Sequence, residues 1–146
     1  MAYIIDLPVF GDERGSLTVV EKILPFEIKR FYYIYNVTSK RGGHRHKKTI
    51  QALISLGGSC DVYTNNGEME EVFFLDTPNK CLILDPKDWH TMDNFSEGST
   101  LLVFSSEFYD KEDYIDEKYW MIEYENLKKV NEKLFDKYRD SFNKFI

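Results

Sequence analysis

The sequence predicts an all-β domain, an antiparallel sandwich or barrel, with an amphipathic helical tail at its C-terminus. Three observations carry that prediction. Between Ser16 and Ser106 the chain is a succession of short apolar or alternating runs, the pattern of strands buried on one or both faces. The runs are separated by turn chemistry: "NNG" at 65–67, Gly57-Gly58, "TPN" at 77–79 and "DPKDW" at 85–89. After Tyr109 the grammar changes, and "YDKEDYIDEKYWMIEYENLKKVNEKLFDKYRDSFNKFI" has no Gly or Pro and is rich in Glu and Lys.

In chain order the expected strands are "SLTVVEKIL" (16–24), "IKRFYYIYNV" (28–37), "TIQALISL" (49–56), "SCDVYT" (59–64), "MEEVFFL" (69–75), "CLILD" (81–85) and "TLLVFSS" (100–106). Asn66-Gly67 between two such runs predicts a hairpin with a type I′ turn, whose two central residues both need positive φ. Many short strands at regular spacing, joined by polar turns, give an antiparallel sandwich or barrel. In the tail, Leu127, Val130, Leu134, Tyr138 and Phe142 recur at spacings of three and four, which predicts one or two helices with an apolar face for the barrel or a partner subunit. The expected organisation is a barrel over 1–111 and a helical extension of the same domain over 112–146.

Composition narrows the function. A chain of 146 residues is the size of one domain and can bury a core without a disulfide or a structural metal. The net charge of −6, with no basic stripe, argues against nucleic acid as the partner. Cys60 and Cys81 are far apart with no second Cys near either, so they are expected to be free thiols of a reducing compartment. "MAYIIDLPVFGDERG" lacks the basic n-region of a signal peptide, and no apolar run reaches membrane-spanning length. A soluble, cytoplasmic protein is expected. The aromatic fraction of 16% and the apolar tail stripe also predict self-association, with a homodimer as the expected form.

One stretch stands apart. "KRGGHRHKKTIQALISLGG" (40–58) holds two of the three histidines, His44 and His46, among Arg41, Arg45, Lys47 and Lys48. Residues two apart on a strand share a face, so the two imidazoles project together and Arg45 projects oppositely. On the inner face of a small barrel they would share a ligand pocket. Lys47 and Lys48 are read as a solvated strand end, and Cys60 and Met92 as core.

This spacing resembles the cupin superfamily. Its first motif runs His-x-His, three or four residues, Glu, six residues, Gly; here His44 and His46 are followed by four residues, Gln51, six residues and Gly58. Its second motif is matched by "DPKDWHTMDN", with His90 and Asn94 after Pro86. The resemblance implies a cupin-type antiparallel jelly-roll barrel. It does not imply a metal here, because Gln51 replaces the acidic ligand that would offset a cation's charge and local cations add to it.

A narrower resemblance follows from successive blocks. "IKRFYYIYNV", "RGGHRHKKTIQAL", "GGSCDVY" and "DWHTMDNFSEGSTLLVFSSEFYDKEDYI" are similar to those of the bacterial sugar 3,4-ketoisomerases acting on dTDP-4-dehydro-6-deoxy-D-glucose, the WxcM-like cupin domains. That family carries "IKRVYYI", "RG-x-H-x-H-KK-x-x-Q-V-L", "NGSC" and "W-x-x-M-x-DF…LVLAS-x-YDE-x-DYI" and uses the barrel without a metal or other cofactor. The resemblance implies that His44 is the proton-transferring base, that Tyr32 and His46 are catalytic partners, and that Arg41, Gln51 and His90 belong to the substrate site. Arg30 lies two residues before Tyr32 on the same strand face, a fitting partner for diphosphate. This sequence departs from the family at Arg45, where a small residue is usual, and in its longer tail.

The chemistry suits these residue types. A C4 ketone acidifies the C3 hydrogen, a base removes it, and an enediol returns the proton at C4. A neutral imidazole can accept and then donate near neutral pH. The surrounding cations are expected to lower the His44 pKa, and Tyr32 and Arg41 to stabilise charge on the sugar oxygen. The implied role is in nucleotide-sugar biosynthesis for surface glycans. The alternatives are a cupin epimerase of a dTDP-4-keto sugar, which would pair the base with a carboxylate, and a non-catalytic sugar-nucleotide-binding cupin.

Overall fold

Alternation and continuous apolar runs decide how the strands stack. The computed structural model describes residues 1–119 and 129–134. Its strands are β1 (Tyr3–Asp6), β2 (Val9–Asp12), β3 (Gly15–Thr18), β4 (Arg30–Tyr35), β5 (Arg41–His46), β6 (Gln51–Gly57), β7 (Cys60–Asn65), β8 (Glu70–Leu75), β9 (Lys80–Leu84), β10 (Trp89–Asp93), β11 (Thr100–Ser105) and β12 (Tyr114–Ile115). They form one five-stranded sheet in the order β1-β9-β6-β11-β4, a second in the order β12-β5-β10-β7-β8, and a separate β2-β3 hairpin. Paired strands are antiparallel throughout.

The core lies between the two sheets. Leu53, Leu82, Leu101 and Val103 of the first sheet meet Val62, Leu75 and Met92 of the second, each buried, with Tyr32, Ile34 and Phe73 packed at the margin. A smaller cluster covers the other face of the first sheet, where Ala52, Ile54, Cys81 and Ile83 are packed by Val20, Ile23, Leu24 and Phe26. Strand β6 is therefore buried on both faces, which is why its sequence is a continuous apolar run and not an alternation. Strand β4 is an edge strand and alternates: Arg30, Tyr32 and Ile34 are half-buried, and Phe31, Tyr33 and Tyr35 are exposed.

The structure corrects several expectations. "SLTVVEKIL" is a strand only to Thr18; Val20 to Phe26 instead pack across the outer face of the first sheet. The β7-β8 hairpin is present, but its turn is not type I′, because only Gly67 has positive φ in "NNG". Asn65 and Asn66 close it through their side chains, which accept from the backbone N–H groups of Gly67, Glu68 and Met69. Residues after Tyr109 do not begin a helix. Lys111–Asp113 form a single 3-10 turn and Tyr114–Ile115 form β12 against β5, so the sheet continues beyond residue 111. Residues 129–134 are helical with Val130 and Leu134 exposed; the rest of the expected tail stripe lies outside the described residues.

Candidate active site

Strand register brings the histidines together. In the β10-β5 pair His90 stands opposite His44, and the register then slips so that Thr91 faces Gly42. Two glycines permit this approach. Gly42 and Gly43 have φ of 82° and 86°, in the region that L side chains avoid, and a Cβ at Gly42 would lie 2.8 Å from the His90 carbonyl oxygen. The ring of His44 sits 5.2 Å from His46, 5.0 Å from His90 and 4.8 Å from Tyr114, centre to centre. As the strand period requires, His44 and His46 share a face, and Arg45 turns away to stack on Tyr119.

In front of His44 opens a cavity of about 510 Å³ between the β4 edge and β5, lined among others by Arg30, Tyr32, Arg41, His44, His90 and Tyr109. Arg41 is exposed at its rim. Arg30 lies over the rings of Tyr32 and Tyr109, at 5.1 and 5.6 Å. Two of the expected site residues do not reach the cavity. His46 is 4% and Gln51 2% exposed, and each stands one layer behind, His46 behind His44 and Gln51 behind Tyr32, to whose hydroxyl it donates at 3.1 Å. Among the described residues no group of three or more His, Cys, Asp or Glu is placed to hold a cation.

Burial sets the protonation states. It pushes the His44 pKa down to about 4, helped by His46 and opposed by Asp116 and by a hydrogen bond to the Gly42 backbone. The expected cause was the surrounding arginines and lysines; Arg45 is stacked elsewhere, and Lys48 pairs with Asp110 at 3.7 Å. His90 is pushed down to about 3, again by burial, although its Nδ1 faces the Asp88 carbonyl at 3.0 Å. Tyr32 is pushed up to about 12 by burial and by Tyr114, with Arg30 opposing. At neutral pH the cavity thus holds neutral imidazoles and a protonated phenol beside two guanidinium groups. Such a site can take a proton from carbon, steady a developing oxyanion and bind a diphosphate.

Reading the sequence missed Asp113, Tyr109 and Tyr114. Burial pushes the Asp113 carboxyl up, but hydrogen bonds from Thr49 and from the Lys48 N–H, together with His46, hold it below the usual range. Its Oδ2 lies 3.0 Å from His46 Nδ1. The block "YDKEDYI" contains all three residues and was the available signal.

Two antiparallel sheets with neutral histidines on the inner face of one, opening on an arginine-rimmed cavity, define a cupin-like small-molecule site. The chain belongs to the family described as "FdtA: WxcM-like, C-terminal", which it matches over residues 1–127. It is 38% identical over 135 residues to the TDP-4-oxo-6-deoxy-alpha-D-glucose-3,4-oxoisomerase of Aneurinibacillus thermoaerophilus, covering 90% of this chain and 93% of the relative. A 3,4-ketoisomerase from Helicobacter canadensis superposes with a TM-score of 0.76 at 41% identity, over 80% of this chain and 90% of that one. A His-to-Asn mutant of the 3,4-ketoisomerase QdtA from Thermoanaerobacterium thermosaccharolyticum, in complex with TDP-4-keto-6-deoxyglucose, superposes with a TM-score of 0.76 at 40% identity, over 80% and 87% of the two chains.

Proposed function

We propose that this chain is an isomerase that moves the keto group of dTDP-4-dehydro-6-deoxyglucose from C4 to C3 through an enediol, with His44 as the base. The observation that carries the reading is a neutral imidazole facing a cavity that also presents two guanidinium groups and a protonated phenol. A neutral imidazole carries its hydrogen on one ring nitrogen, so the other nitrogen of His44 keeps a lone pair for the C3 proton. As that bond breaks, its electrons form the C3–C4 double bond and the C4 carbonyl oxygen becomes an oxyanion. Tyr32 donates to it. Its hydroxyl oxygen is already occupied by Gln51 Nε2, which leaves the phenolic hydrogen for the substrate. His44 then returns the proton to C4, the C3 hydroxyl proton passes to the C4 oxygen, and the ketone stands at C3 with a hydroxyl at C4. Oxidation at C3 balances reduction at C4, so no external electron acceptor enters.

Arg30 and Arg41 are assigned to the diphosphate, His90 to the cavity wall, and Gln51 to Tyr32 rather than to the sugar. His46 acts from behind His44. The reading extends to a cytoplasmic homodimer working in nucleotide-sugar biosynthesis, with the two sheets, β12 included, as the halves of a jelly-roll barrel and the residues that follow β12 as an extension of the same domain.

The test is His44→Asn, assayed by NMR of the sugar with dTDP-4-dehydro-6-deoxyglucose and by calorimetry for binding. We expect nucleotide affinity to persist and turnover to fall by at least about 10²–10⁴, the usual worth of general acid–base assistance. Near-normal turnover would remove His44 as the base.

A further inference from the structure

Behind His44 lies an imidazole that the cavity does not reach. His46 Nδ1 faces Asp113 Oδ2 at 3.0 Å, while its Nε2 is buried and has no hydrogen-bond partner among the described residues. Asp113, 3% exposed, is fully committed. Its Oδ1 accepts from the Lys48 backbone N–H at 2.9 Å, and its Oδ2 accepts from Thr49 Oγ1 as well. The Lys47 N–H donates to the Asp113 carbonyl at 2.9 Å. In the adjoining ladder Tyr114 pairs with His46, and the Tyr114 ring rests on both His44 and His46, at 4.8 and 4.6 Å. Around the His46 ring therefore stand His44 on β5, His90 on β10, Tyr114 on β12 and Asp113, with Arg30 on β4 also acting on its charge.

An ionised carboxylate only accepts hydrogen bonds, so the ring nitrogen that faces it carries the hydrogen. We propose that Asp113 is a positioning residue of the isomerisation: it holds His46 as the Nδ1–H tautomer and keeps an unprotonated Nε2 in the wall behind His44. The inference rests on His44 being the base. On taking the C3 proton, His44 becomes a cation among buried groups that disfavour cations. Asp113 and a neutral His46 together place a net negative charge one ring away from it, and the tautomer keeps the N–H end of that ring turned toward the carboxylate.

Asp113→Asn separates this role from simple anchoring. The Lys48 N–H still requires an oxygen, which puts the amide NH₂ where Oδ2 stood, as a donor to His46 Nδ1. His46 is then forced into the opposite tautomer, the consequence that the same exchange has for the histidine of a serine-protease triad. Uniformly ¹⁵N-labelled protein reads the tautomer directly through long-range ¹H–¹⁵N correlations, and with only three histidines in the chain assignment is tractable.

We expect wild-type His46 to carry its hydrogen on Nδ1 and Asp113→Asn to move it to Nε2. Turnover should fall at least about 10-fold, the lower end of what losing the carboxylate partner of a metal-bound imidazole costs, with little change in KM. Thr49→Val, which loosens the same anchor and leaves the carboxylate facing His46, should keep the tautomer and most of the turnover. A wild-type His46 protonated on Nε2 overturns the proposal without any variant, and so covers the case in which Asp113→Asn does not fold. A reversed tautomer with wild-type turnover also overturns it, as does a Thr49→Val loss equal to that of Asp113→Asn. Normal turnover by His44→Asn would remove the base assignment and leave the tautomer measurement standing, so the two failures are distinguishable.

Discussion

One hydroxyl separates Tyr32 from phenylalanine, and its removal isolates the acid half of the reaction. Tyr32→Phe keeps the ring under Arg30 and the inner-face packing, and it deletes the donor to the developing oxyanion and the acceptor of Gln51 Nε2. We expect kcat to fall about 10²-fold, at the lower end for the loss of one oxyanion donor, and by less than in His44→Asn, because the base remains. Steady-state kinetics of the two variants checks the order; a Tyr32→Phe enzyme as active as wild type would remove Tyr32 as the oxyanion donor. At this scale, what the sequence made legible was what depends on neighbours along the chain. The period of a strand put His44 with His46 and Arg30 with Tyr32. Depth was not legible: nothing in "HRH" distinguishes the imidazole that meets the cavity from the one sealed behind it. Nor was the cause of the low His44 pKa, since sequence proximity suggested cations and three-dimensional packing supplied burial instead.

Elements were legible where one face is wet or where the apolar run is continuous, and illegible where a segment serves another element's surface. Val20, Ile23 and Leu24 read as strand because they cover the outside of the first sheet, a task that needs apolar side chains but no ladder. Strand β12 is only two residues long, too short for any period to register, yet it carries Tyr114 to the histidines. The edge strand β4 makes the clearest element-scale prediction. Phe31, Tyr33 and Tyr35 are 63%, 58% and 57% exposed on its outer face, a row that invites pairing or burial by another chain. We expect wild-type protein to give a dimer mass in light scattering at micromolar concentration. Phe31→Glu, which does not touch the cavity lining, should shift it toward monomer by removing about 1.5–3 kcal/mol of burial per chain. A monomeric wild type across that range would remove the homodimer from the reading.

For the molecule as a whole, the site that makes chemistry available also limits the pH range of the fold. An unfolded chain protonates its histidines at about 6.5, whereas burial holds His44 to about 4 and His90 to about 3 in the folded protein, with His46 also lowered. Between those values the unfolded state binds more protons than the folded one, so stability is fully present above pH 6.5 and is lost as pH falls through the window down to about 4. Asp88, raised by burial, works against that slope in the lower part of the window, and Asp113, held low by its hydrogen bonds, adds its own loss only in the carboxylate range. His90 is 2% exposed and faces a carbonyl, not a charge, so its share of the slope is the least screened, about 1.4 kcal/mol per pH unit. The measurement is urea unfolding of wild type and His90→Gln at intervals from pH 7.5 to pH 5. Wild type should lose stability steadily below pH 6.5, and the variant should start less stable because a packed, bonded side chain has been replaced, but should show a shallower slope. Parallel slopes for the two proteins would mean that His90 titrates normally in the fold, and the neutral His90 assigned to the cavity wall would have to be given up.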